Sequence, residues 1–109
     1  MQLLVVILHH EEVLDDVLST LVEFELVDAV VVDSRTGLEL LERDLPVFAG
    51  VRALIPGGLD FCRLVLCQID DDDTARQALA ALPRAPSAAG PGEPCTVAML
   101  LPVTEVRAL

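Results

Sequence analysis

Residues 3–8, LLVVIL, form an unbroken apolar run without polar alternation, the pattern of a strand covered on both faces. A chain built on such a strand must set it inside a sheet and find cover for both of its sides. A helix is expected next, over residues 11–24, because Leu14, Val17, Leu18 and Leu21 recur at i, i+3, i+4 and i+7. Val13 and Val22 widen that stripe, and Glu11 and Glu12 fall in the first turn, where unpaired N–H groups and the helix dipole favour carboxylates.

The apolar residues 29–32, three of them β-branched valines, predict a second strand, which ends in the turn formers Asp33-Ser34-Arg35-Thr36-Gly37. A third strand is expected at residues 61–69, between Pro56-Gly57-Gly58 and the aspartates at 70–73. Asp71 or Asp72 is placed to cap a short helix over residues 73–82, which has Ala75, Leu79 and Leu82 on its inner side and stops before Pro83. Residues 83–94, with four prolines and two glycines, read as a loop, and residues 97–101 as the last strand. Pro102 stops regular pairing or marks an edge, and residues 103–109 make a tail with room for one more short strand.

This order predicts an α+β, ferredoxin-like β-α-β-β-α-β fold: one domain over residues 1–109, with an antiparallel four-stranded sheet and two helices on one face. The other face is left uncovered. Since the first and third strands read as apolar on both sides, that face is expected to be buried against further copies of the chain. Composition points the same way. The apolar fraction of 53% exceeds the ~45–50% usual for soluble domains while aromatics are only 3%, so Val, Leu, Ala and Ile build the core and leave apolar surface over.

The net charge of −11 and the lack of a Lys/Arg cluster argue against a nucleic-acid partner. No apolar run reaches the ~18 residues of a bilayer span, and Gln2 leads straight into the apolar run without the basic region of a signal peptide. The expectation is a cytoplasmic protein with no direct membrane insertion. Cys62, Cys67 and Cys95 form no C-x-x-C pair and read as buried, reduced cysteines.

Residues 38–58 are far longer than a hairpin turn and too apolar for disorder. Leu41, Leu45, Phe48 and Val51 would line one side if the segment coils, either packing on a neighbouring subunit or docking a different protein.

The element order, this long loop and the glycine-containing loop before the last strand together resemble the PII-like signalling proteins. Asp33-Ser34-Arg35-Thr36-Gly37, followed by Leu45-Pro46-Val47-Phe48-Ala49-Gly50, is similar to a less characterised branch of that superfamily. The resemblance implies a homotrimer with its sheets toward the threefold axis and adenine nucleotides in the clefts between subunits. It also implies that the long loop, through Leu45, Phe48 and Val51, regulates a target protein such as a transporter or an enzyme. Gly37 matches the glycine at the base of the family's long loop, Gly90-Pro91-Gly92 stands where its phosphate-facing loop lies, and Arg107 matches a basic residue near its C-terminus.

The implied ligand-binding set is therefore Arg35, Thr36, Gly37, Gly90, Gly92 and Arg107. Two positions depart from the pattern. Glu93 stands where nucleotide binders carry a lysine, opposing a triphosphate by ~1–4 kcal/mol, and Leu109 stands where a second basic residue falls. The effector is then a nucleotide held by Arg35, Arg107 and backbone N–H groups, or a smaller, less charged ligand. Without a tyrosine, the chain lacks the modified tyrosine of the nitrogen regulators' long loop.

Enzymatic chemistry is not expected. Ser19, Ser34 and Ser87 have no G-x-S-x-G setting, and the prolines around Gly90 and Gly92 remove N–H donors that a phosphate loop needs. His9 and His10 diverge at a strand end and read as helix-start residues, with metal binding across a symmetry axis as the other reading. Asp70 to Asp73 lacks a spaced D-x-D-x-D pattern and reads as a cap and not a cation site. Beside the PII-like reading stand a ferredoxin-like interaction module without a small ligand and a metal-binding regulator.

Overall fold

The apolar run at residues 3–8 lies within a strand, β1 (Gln2–Leu8), hydrogen-bonded along both edges. A computed structural model describes residues 1–37, 40, 62–83 and 96–109. After β1 come α1 (Glu11–Glu23), β2 (Val30–Asp33), β3 (Arg63–Ile69), α2 (Asp72–Ala81) and β4 (Val97–Pro102). The sheet order is β2-β3-β1-β4 and every neighbouring pair is antiparallel. That is the ferredoxin-like β-α-β-β-α-β layout expected from the sequence.

Alternation along the strands sends Leu4, Val6 and Leu8 of β1 and Val65, Cys67 and Ile69 of β3 into one core with Val13, Val17 and Leu21 of α1 and Ala75 of α2. Both helices thus cover the same face. The buried stripe of α1 runs at i, i+4 and i+8 through Val13, Val17 and Leu21, flanked by half-buried Leu14 and Leu18, and leaves Val22 59% exposed. In α2 the fully buried residues are Ala75 and Ala78, with Leu79 and Leu82 packed partly against the core. Alanine at the contact lets the short helix sit close on the sheet, as a core poor in aromatics requires.

Two helix ends show how local chemistry fixes the chain path. Asp71 caps α2, its Oδ2 accepting from the Thr74 N–H at 2.9 Å and from the Thr74 hydroxyl at 2.7 Å. Asp72 Oδ1 accepts from the N-terminal ammonium at 3.0 Å and from Gln2 Nε2 at 3.4 Å, tying the start of α2 to the start of β1. At the same end of the helical layer, α1 finishes in a Schellman motif. The Glu25 N–H donates to the Val22 carbonyl, the Leu26 N–H donates to the Leu21 carbonyl, and Leu26 packs on the core. The left-handed position is filled by Glu25, φ 60°, where glycine is free of the Cβ clash.

Glu25→Gly is therefore expected to stabilise the fold by about 0.5–1 kcal/mol in urea unfolding. An equal loss would show that the Glu25 side chain makes a contact outweighing the backbone strain.

A second expectation concerns pH. The Thr74 hydroxyl and N–H hold the Asp71 carboxyl below the usual range, and the N-terminal ammonium, aided by Gln2, does the same for Asp72. Native values below the unfolded ones mean a contribution present above about pH 4 and lost as the pH falls through the native values. Asp71→Asn keeps a cap and removes one titration, so its stability should fall less steeply than wild type between pH 5 and about 3.

Candidate functional site

The turn formers after β2 separate into a tied part and an exposed part. Register places Asp33 opposite Arg63, and Asp33 Oδ1 meets Arg63 Nε at 2.8 Å. Arg63 Nη1 also donates to the Cys62 carbonyl at 3.0 Å. Ser34 holds the same residue twice: its N–H donates to the Cys62 carbonyl and its hydroxyl donates to Cys62 Sγ, each at 3.1 Å. Asp33 and Ser34 therefore lock the end of β2 to the start of β3. The Asp33 side chain is 87% exposed, so the ion pair sets geometry and adds less than about 1 kcal/mol.

Arg35 and Gly37 are exposed directly beyond this lock, with Thr36 half-buried between them. The Thr36 carbonyl accepts from the Leu40 N–H at 3.2 Å, making one helical turn. Among the described residues a Cβ at Gly37 would meet nothing within 4 Å, and its φ lies outside the left-handed range. The fold itself gives no reason for glycine there; close approach of a bound group would.

Arg107 lies in the exposed tail beyond β4. Since β2 and β4 are opposite edges of the sheet, and the two segments leave it at opposite ends, the chain's own fold does not hold Arg107 beside Arg35. Both arginines are free of ion pairs among the described residues, unlike Arg63 and Arg76, which pair with Asp33 and Asp73. Gly90, Gly92, Leu45, Phe48 and Val51 lie outside the described residues, as does Cys95.

Elsewhere the candidate ligand sets dissolve into ordinary roles. His10 Nδ1 lies 4.0 Å from Glu12 Oε1, and among the described residues no group of three His, Cys, Asp or Glu side chains could hold a metal ion. Of the four consecutive aspartates, Asp71 caps α2, Asp72 binds the terminal amine and Asp73 lies 3.8 Å from Arg76. Cys62 and Cys67 are free and buried, and burial, aided by the Asp28 charge, pushes the Cys67 thiol above its usual range. No helix among the described residues is long and apolar enough to cross a membrane.

The largest feature is the sheet face away from the helices. Register lays Val32, Leu64, Ile7 and Val97 in one row across it and Val30, Leu66, Val5 and Met99 in the next. A third row holds Gln68, Leu3 and Leu101. At that end a hollow of about 370 Å³ is lined by Leu3, Asp28, Val30, Leu66, Gln68 and Asp70. Among the described residues no helix covers this face, and Met99 and Leu101 remain 36% and 44% exposed. No protein-family model matches the chain, and no curated protein matches it.

Gly37→Ala should leave the fold intact and raise stability by up to about 1 kcal/mol, since it adds a helix former in open space. Loss of stability in chemical denaturation would show that the chain itself needs glycine at this position.

Proposed function

We propose that this chain is a self-associating regulatory protein of the PII-like kind, whose copies meet through the open sheet face as a homotrimer. The observation that carries the reading is the pair of complete apolar rows across all four strands. Four strands about 4.8 Å apart, with same-face residues about 6.6 Å apart along each, give these two rows an area on the order of 250 Å². A contiguous apolar patch of a few hundred Å² on a monomer is often a functional surface.

Ligand binding follows from the same assembly. Arg35 and Arg107 have no ion-pair partner among the described residues in a chain of net charge −11, and they sit beyond opposite edges. Neighbouring copies can bring one edge to the other, so that Arg35, Thr36 and Gly37 of one copy and Arg107 of the next flank a cleft for an anionic effector, an adenine nucleotide among the candidates. Residues 38–58, which follow Gly37 in the sequence, would carry its occupancy to a target protein. The fold serves binding and regulation here, with no catalytic step. A plain interaction module without a ligand is favoured by one observation, the use of Asp33 and Ser34 for internal ties.

Light scattering at micromolar concentration should give three times the chain mass, and Leu66→Asp, placing a charge mid-face on an outward-pointing side chain, should give a folded monomer. A monomeric wild type would overturn the proposal. Because the face is uncharged and the copies repel through their −11 charge, added salt should strengthen association. Calorimetry with ATP, ADP, AMP and cyclic nucleotides tests the effector: binding lost in both Arg35→Ala and Arg107→Ala supports the shared cleft, and no heat with any of them removes the nucleotide.

A further inference from the structure

Apolar rows give affinity without geometry. Sliding a second sheet by two residues, or by one strand, keeps Val, Leu and Ile against Val, Leu and Ile, because apolar burial has no direction. The open face nevertheless holds one polar side chain in its three rows, Gln68. Its place there is fixed by its neighbours in β3, Cys67 and Ile69, each 2% exposed on the helix side. In the single chain Gln68 is exposed, its amide open to water and without a hydrogen-bond partner among the described residues, and Leu3 stands directly opposite it in register.

We infer that Gln68 determines the register and stoichiometry of self-association, by pairing with its own symmetry mates. This rests on the proposed burial of the open face between copies. An amide carries both donors and an acceptor, so it satisfies another copy of itself across a symmetry axis. In a slipped arrangement the same amide would be pressed against Leu or Val with its hydrogen bonds unmade, which disfavours that arrangement strongly. A single buried amide sets register and strand number in helical coils in the same way.

The test compares wild type with Gln68→Leu and Gln68→Glu by native mass spectrometry and light scattering. Gln68→Leu should associate at least as tightly but distribute over several masses. Gln68→Glu at pH 7 should need at least tenfold more protein to associate, with recovery near pH 4. One mass for Gln68→Leu, whether the wild-type assembly or the monomer, would overturn the role of Gln68, as would unchanged association of Gln68→Glu. In either case an associating wild type leaves the self-association proposal standing. A monomeric wild type would overturn both.

Discussion

The structure depends on β1 being apolar on both sides while hydrogen-bonded along both edges. β3 and β4 take up its backbone groups, so it cannot move to the rim of the sheet, where one flank could meet water. Leu4, Val6 and Leu8 anchor the core beneath the helices, and Leu3, Val5 and Ile7 point the other way. The helices cover one face of the sheet. The other side of β1 then aligns with matching apolar positions of β2, β3 and β4, so that a property of one strand becomes a property of a whole face.

This two-sidedness explains the small residues of the helical layer. Ala75 and Ala78 allow α2 to lie close on the sheet, and Val13 and Val17 fill the space under α1 without aromatic rings. The charges are displaced to helix starts, turns and tails. Asp71 and Asp72 work at the start of α2, and Asp33 and Arg63 close the β2–β3 end. Among the described residues, Arg35 and Arg107 have no ion-pair partner and lie beyond the two edges.

Much of the fold was legible because its elements are announced by periodicity and punctuation. LLVVIL marks β1, the run of valines marks β2, and Asp71 before an alanine-rich stretch marks α2. Differences fall at boundaries and in side-chain partners. β2 runs through Asp33 because that carboxylate finds Arg63 across the register, a pairing set by residues thirty positions apart. The buried α1 stripe runs through Val13, Val17 and Leu21 at i, i+4 and i+8, a spacing that leaves Val22 outside. Glu25 in the left-handed position gives no glycine signal to read. Residues 103–109 add no strand; only the Val103 N–H continues the ladder, donating to the Met1 carbonyl. Of the candidate site, Arg35, Thr36 and Gly37 could be found as turn formers after a strand. The Ser34–Cys62 contact could not, because it requires knowing which strand lies alongside.

The account stands or falls on whether the open face is covered in solution. The chain's two methionines report on this directly: Met99 sits in the middle apolar row, on the edge strand β4, at 36% exposure, and Met1 lies at the sheet's end at 37%. Peroxide oxidation followed by peptide mass analysis should find Met99 protected relative to Met1 at concentrations where the protein associates, with protection disappearing on dilution. Equal oxidation of the two methionines at every concentration would contradict it.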